Sequence, residues 1–438
     1  MDSPKFSIQI QNTRAIEEAT INLDSVSVLT GENGSGKTTI SKLLFGFLYT
    51  SINFDELVED FYEEQLQQIQ EFLSQILQLM ARCDVPLSNL KTNREIFTFI
   101  RKYLATYDSM QEFITKDFIP EIKNAEIEKK IDPSEFTRLC NLYRDKFSKN
   151  NAEFLSFVDL ISDFADFVAI TMGKIQKQKV SRTKSFYDLQ YMNYFGESVK
   201  DWNFNISEYG VQLINKSENY IVPQKSFSDV IYIGQPTIFD SNMMREDGIV
   251  HINPNSKLLY ANKKHIPNSS VLNNLFSEIL HGDIELEENL FSQIFVYKSK
   301  DGSKISLSQA ADGIKCFATL EMLFKNGHLN SDTLLIIDEP EVHLHPKWIV
   351  DYARVIIQIN KLLHCTFLLA SHSPDMISAL KYISHKERVK TSFYLAEKVS
   401  DKDFGKYSFR NLEDDIEPIF ESFNIALERI NQYGQFDD

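Results

Sequence analysis

The chain has 438 residues, 43% hydrophobic and 25% charged, an ordinary globular composition with room for two to three domains. Its formal net charge of -16 argues against a protein that coats nucleic acid with its whole surface, and confines any such contact to a local groove or a partner. No apolar run approaches the roughly 18–20 residues that span a bilayer, and the opening MDSPKFSIQIQ lacks a leader's apolar core, so a cytoplasmic location without membrane contact is expected.

Short strands are predicted at Phe6 to Ile10, Ala19 to Leu23 and Val26 to Leu29. The segment GENGSGKTT, Gly31 to Thr39, follows directly and leads into the helical Ile40 to Leu44. It fits G-x-x-x-x-G-K-[ST] in the strand–loop–helix setting that such a match requires. Gly31, Gly34 and Gly36 permit a path free of side chains, so that the backbone N–H groups around Asn33, Ser35 and Thr39 can converge on phosphate oxygens at a helix N-terminus. Lys37 is expected to reach the β- and γ-phosphates of ATP, and the Thr38 hydroxyl to ligate Mg²⁺.

From Phe54 to Ile175 the pattern turns helical. Phe54, Val58, Phe61, Ile69, Phe72, Ile76 and Met80 recur at helical spacing and predict one first helix, with its acids on the solvated faces. Asp132-Pro133-Ser134-Glu135 carries an N-cap, a Pro at the first helical position and a capping-box Glu. No heptad pattern is sustained, so a compact helical domain or short hairpin is expected rather than a long coiled-coil arm. The exit, Gly173 to Lys184, carries Lys174, Lys177, Lys179, Arg182 and Lys184 with no acid between, and reads either as a solvated linker or as a patch for nucleic acid or an acidic partner. Strands return at Val211 to Ile214 and Val230 to Ile233, and Asp301-Gly302 marks a hairpin between Ile294 to Tyr297 and Lys304 to Leu307. A last helix is predicted over roughly Asp414 to Gln432. Cys83, Cys140, Cys316 and Cys365 are far apart, form no C-x-x-C pair, and read as reduced core residues.

Two further segments carry chemistry. Thr333 to Ile337 reads as a buried parallel strand ending in Asp338-Glu339-Pro340-Glu341. Asp338 at the strand's carboxyl end is expected to hold Mg²⁺, and Glu339 to orient and deprotonate the attacking water. Thr366 to Ala370 is another buried strand, ending in Ser371-His372-Ser373-Pro374, where His372 could donate to the γ-phosphate and sense its loss.

The order of P-loop, large insert, Asp-Glu strand and His372 resembles ABC-type ATPases, and DEPEVHLHP followed by SHSP is similar to the soluble ATPases related to SMC and RecF proteins and to the overcoming-lysogenisation-defect (OLD) group. Bacterial anti-phage ATPases of the Septu and PARIS kind belong to the same broad set. The resemblance covers the first ~50 residues and about 290 to 380, and implies an α/β ABC-type P-loop core, a mixed sheet with flanking helices, interrupted by a large helical insertion. The expected division is 1–50, an insert over 51–185, and 186–438. It makes Lys37 and Thr38 Walker A, Asp338 the Walker B aspartate, Glu339 the catalytic glutamate and His372 the switch histidine. Gln235 is a candidate Q-loop glutamine contacting Mg²⁺ and the water, or an ordinary polar loop residue.

The signature region departs from the family. Where a phosphate-contacting serine is expected, this chain has Ala311 and Asp312, followed by Gly313 and Lys315. Asp312 would bring negative charge toward a γ-phosphate unless Lys315 or Mg²⁺ offsets it, or it caps the following helix. His343 and His345 form an H-x-H pair that the family carries as a dimer-facing loop rather than a metal site. The resemblance implies an ATP-hydrolysing homodimeric switch in anti-phage defence, acting on a nuclease or toxin effector encoded alongside. The alternatives are a repair or recombination ATPase that binds DNA, a self-contained nuclease, for which the roughly 65 residues after His372 leave no domain-sized segment, and a transporter ATPase.

Overall fold

The computed structural model describes residues 4–82, 116, 120, 132–147, 157–234, 270–289, 292–399, 405–413 and 415–420. The chain opens with β1 (Phe6–Thr13), β2 (Ile16–Leu23) and β3 (Val26–Thr30), then α1 (Lys37–Ile52), α2 (Phe54–Phe61), α3 (Glu63–Arg82), α4 (Pro133–Phe147), α5 (Phe157–Ser181) and α6 (Lys184–Phe195). Next come β4 (Asn203–Glu208), β5 (Val211–Gln212), β6 (Ile214–Asn215), β7 (Tyr220–Ile221), β8 (Asp229–Ile233), α7 (Ser270–Leu280), β9 (Gly282–Asn289), β10 (Ser292–Ser299) and β11 (Lys304–Ser306). The described chain closes with α8 (Asp312–Lys325), β12 (Thr333–Asp338), α9 (Pro346–Leu363), β13 (Thr366–Ser371), α10 (Pro374–Glu387), β14 (Thr391–Lys398) and β15 (Tyr407–Asn411). Two compact units result, Met1–Ile52 with Thr183–Asp438, and Asn53–Arg182.

The first unit is built on a ten-stranded mixed sheet in the order β5-β4-β1-β2-β15-β14-β3-β13-β12-β8. The run β14, β3, β13, β12, β8 is parallel throughout, while β1 and β4 pair antiparallel at the other side. The central parallel strands are buried on both faces, which is why they read as continuous apolar runs rather than alternating ones. Side chains of one parity, including Leu335, Ile337, Phe367 and Leu369, pack with Phe317 and Leu320 of α8, Ile356 of α9 and Ile377 of α10. The other parity faces α1, which lies against β8, β12 and β13. Gly46 of α1 has no room for a side chain, since a Cβ there would meet the Tyr191 ring of α6 at 2.6 Å. The Asp301-Gly302 hairpin forms as the sequence signals, with Gly302 at φ +90° and Ser303 N–H donating to Asp301 Oδ1 at 2.9 Å.

The second unit is helical. Phe72, Tyr143, Phe147 and Phe164 interlock, with ring centroids 4.3 to 5.3 Å apart. The single first helix expected from the apolar spacing is broken at Tyr62. Glu63 and Glu64 open a new helix, where acids in the first turn favour the positive dipole end, and Phe61 is left 53% exposed, off the apolar stripe. The Asp132 cap forms, its carboxylate accepting from Ser134 N at 2.8 Å, and these hydrogen bonds hold its pKa down.

The basic exit is not a linker, because α5 runs through Ser181. Lys179 pairs with Glu59, and Arg182 lies 3.8 Å from Asp55 with its guanidinium 4.5 Å over the Phe54 ring. Beyond the helix, Lys184 binds Asp188 at 2.7 Å. Three of the five cations are therefore neutralised within their own units, and only Lys174 and Lys177 are exposed. Of the predicted last helix, Ile416 and Ile419 are buried, while Asp414 and 421–432 lie outside the described residues. Among the described residues no helix is long and apolar enough to cross a membrane.

Candidate functional site

The site forms along the carboxyl edge of three adjacent parallel strands. Asp338 of β12 pairs in register with Ala370 of β13, and Ser371 with Thr30 of β3. The next residues along each strand are Glu339, His372 and Gly31, so parallel pairing alone lines up the two polar turns and the P-loop.

In the loop, Gly31, Gly34 and Gly36 have φ of +139°, +82° and +100°. Gly34 faces open space, whereas a Cβ at Gly36 would meet Ile16 at 2.6 Å. Lys37 opens α1 and its Nζ donates to the carbonyls of Gly31 at 2.9 Å and Glu32 at 2.8 Å, which closes the loop on itself. Burial pushes the Lys37 pKa down, opposed by the charges of Glu339, Glu341, Asp338 and Glu32. Ser35 and Thr39 are buried, while Asn33 and Thr38 are exposed. The loop thus offers glycine-lined space, the first turn of a helix and a lysine held by neutral acceptors, which is what a triphosphate needs.

Asp338 is buried, and burial pushes its pKa up; the hydroxyls of Tyr232, Ser41 and Thr38 and the charge of Lys42 oppose that rise. Tyr232 of β8 donates its hydroxyl to Asp338 Oδ2 at 2.6 Å. Asp338 Oδ1 and Ser41 Oγ are buried, and the hydroxyls of Ser41 and Thr38 stand close enough to act on the Asp338 charge without either oxygen making a hydrogen bond of full geometry. An orphaned carboxylate oxygen beside two hydroxyls is a set of hard oxygen donors and fits a small divalent cation such as Mg²⁺.

Glu339 adopts φ +53°, a left-handed conformation that costs a non-glycine residue about 1–2 kcal/mol. Its N–H donates to Ala370 O at 2.7 Å, which anchors the turn, and its side chain is 48% exposed, free to meet a ligand. His372 Nδ1 lies 4.0 Å from Glu339 Oε1 and 3.3 Å from Glu341 Oε1. Glu341 is buried and accepts at Oε1 from Ser371 Oγ and from His372 N, each at 2.9 Å.

The signature segment opens α8, with Ala311 as its N-cap, making no side-chain cap bond, and Asp312 in the first turn. Lys315 Nζ donates to Asp312 Oδ1 at 3.0 Å, and His343 Nδ1 is 3.8 Å from Asp312 Oδ2. Gly313 is required by packing, because a Cβ would meet the Trp348 ring at 2.5 Å. His345 is the N-cap of α9, its Nδ1 accepting from Lys347 N at 3.3 Å, so the H-x-H pair is divided between a helix cap and a contact with Asp312.

A family model, the AAA ATPase domain, matches residues 6–377. The chain belongs to that family. Among solved structures, the Smc head domain with an extended coiled coil bound to the C-terminal domain of ScpA, from Pyrococcus furiosus, is 11% identical and covers 98% of this chain and 100% of its own, at a TM-score of 0.35. The SMC head domain from Thermotoga maritima is 10% identical, covering 94% and 100%, at 0.34. The Smc head domain with a coiled coil and joint from Pyrococcus yayanosii is 10% identical, covering 97% and 100%, at 0.37.

In this AAA ATPase the structure gathers Gly31 to Thr39, Asp338, Glu339 and His372 along one edge. Gln235 lies outside the described residues, directly after β8 and Gly234. Three contacts escape sequence reasoning. Tyr232 is an aromatic residue in an apolar strand, and only its 2.6 Å bond reveals its place on Asp338. Ser41 looks like an ordinary helix residue. Glu341 shows a single signal, the third acid of Asp-Glu-Pro-Glu, which does not say that the carboxylate turns inward.

Proposed function

We propose that this chain is a cytoplasmic ATP-hydrolysing switch of the ABC type, and that it controls an effector protein, a nuclease or toxin, in bacterial anti-phage defence. The observation that carries the ATPase reading is the strand register that sets the P-loop, Asp338-Glu339 and Ser371-His372 side by side. ATP binds with its phosphates against Gly31, Asn33, Gly34, Ser35, Gly36, Lys37, Thr38 and Thr39. Asp338 and the Thr38 hydroxyl would hold Mg²⁺, with Gln235 as a further ligand, and the cation neutralises charge on the phosphate oxygens when bound. Glu339 orients the attacking water and takes its proton, and His372 donates to the γ-phosphate. Two copies face each other, so that Ala311, Asp312, Gly313 and Lys315 of one meet the nucleotide of the other. The defence role is supported by the similarity of DEPEVHLHP and SHSP to anti-phage ATPases.

The test is turnover and pull-down of wild type and Glu339→Gln with ATP. Glu339→Gln is expected to lose about 10²- to 10⁴-fold in turnover, the usual contribution of a general base, while trapping an ATP-bound dimer with the product of a neighbouring gene. Wild-type turnover in Glu339→Gln removes that role from the glutamate. A trapped complex containing repair factors instead of an effector removes the defence role.

A further inference from the structure

The Ser371-His372 turn is tied to the acidic turn through a carboxylate that the roles above leave unused. Glu341 Oε1 accepts from Ser371 Oγ and from His372 N, each at 2.9 Å. Ser371 Oγ in turn accepts from Ser373 N at 3.1 Å, and Ser373 caps α10. One buried carboxylate therefore fixes the whole turn that presents His372. The imidazole Nδ1 stands 3.3 Å from the same carboxylate, and both Nδ1 and Glu341 Oε2 are buried with no hydrogen-bond partner.

A lone pair on Nδ1 so close to a buried carboxylate oxygen would be repelled, whereas an N–H there would supply a donor to a carboxylate that burial has deprived of water. Charge-assisted bonds of this kind close to about 2.7–2.9 Å, a small ring movement away. We propose that Glu341 is a positioning residue that holds His372 with the proton on Nδ1, reserving Nε2 for the bound nucleotide. The proposal rests on His372 being the γ-phosphate sensor. Carboxylates that orient a histidine through its second nitrogen fix its tautomer and aim, and their loss costs about 10- to 100-fold where they have been measured behind metal ligands.

The test is the ¹⁵N spectrum of histidine-labelled, nucleotide-free protein, with the His372 signals assigned by their loss in His372→Gln. Wild type is expected to show a protonated Nδ1 on His372; a bare Nδ1 overturns the proposal without reference to any variant at position 341. Glu341→Met, which leaves no acceptor oxygen at that place, is expected to move the proton to Nε2, with thermal melting as the control for folding. It should lower kcat about 10- to 100-fold with KM for ATP within about threefold, as befits loss of an interaction made beyond substrate binding. An unchanged tautomer and kcat in Glu341→Met also overturn it. If His372→Gln turns over ATP like wild type, the sensor reading fails, and the tautomer measurement still stands by itself.

Discussion

Two segments of this ATPase begin a helix with a glycine and a lysine close together, and they are built in opposite ways. At the P-loop, Gly34 faces open space and Lys37 is held by neutral carbonyls. At the signature segment, Gly313 is closed off by Trp348 and Lys315 is held by the Asp312 carboxylate. A phosphate takes a lysine from carbonyls more easily than from a carboxylate, because charge-assisted bonds are roughly twice as strong as neutral ones. The P-loop is thus arranged to receive phosphate, while the segment that the proposed function offers to a second copy is occupied by its own ion pair.

The largest expected effect separates the two lysines. Lys37→Ala should weaken ATP binding about 100-fold, equivalent to the roughly 3 kcal/mol of a strong charged hydrogen bond, while Lys315→Ala leaves binding by the monomer unchanged; calorimetric titration reads both. Equal losses would mean that Lys315 serves the same nucleotide.

The glycines give the next contrast. Gly313→Ala should lower stability by about 1–3 kcal/mol, the usual cost of overpacking, and Gly313→Ala combined with Trp348→Leu should recover part of it. Gly34→Ala should cost only the left-handed strain of about 1–2 kcal/mol, and Trp348→Leu should leave that cost untouched. Chemical denaturation measures all of these, and rescue of Gly34→Ala by Trp348→Leu would break the distinction.

A smaller effect is expected at the ion pair. If two copies associate as proposed, Asp312→Ser removes an anion from the face turned to the partner's nucleotide and should tighten ATP-dependent association about 2- to 5-fold, the scale of half-exposed charges. Sedimentation with ATP and Glu339→Gln as background reads it; weaker association would mean that Asp312 holds Lys315 in the productive position.

The smallest effect is a pH-dependent stability difference at Asp338. Its folded pKa is raised above 3.8 by burial, so its contribution is in place below the unfolded value and is lost as pH rises through the folded one. Asp338→Asn keeps an acceptor for the Tyr232 hydroxyl and carries no charge. With chelator present it should melt higher than wild type at neutral pH, with the gap narrowing as pH falls toward about 4. A gap that widens on acidification would mean that Asp338 is stabilised as a carboxylate by its neighbours.

Local sequence was enough for the elements that depend on local rules. A P-loop needs glycines at positive φ and a lysine opening a helix, and those residue types occur at fixed spacing from Gly31 to Thr38. Buried parallel strands read as apolar runs, so β3, β12 and β13 and the acids that end β12 were legible, as was the Asp301-Gly302 hairpin. Tertiary structure decided where charge and packing meet across the chain. It tied Lys179 to Glu59 and Arg182 to Asp55, acids that no local reading pairs with them, whereas Lys184–Asp188 is an i,i+4 pair along one helix. It placed the Tyr232 hydroxyl on Asp338, more than a hundred residues away in sequence, and turned Glu341 inward onto the Ser371-His372 turn. It also gave Gly313 to the Trp348 ring rather than to a phosphate. The physical reason is range: backbone geometry and apolar periodicity act between neighbours along the chain, while the partner of a buried charge, hydroxyl or ring is chosen only when the strands pair and the core closes.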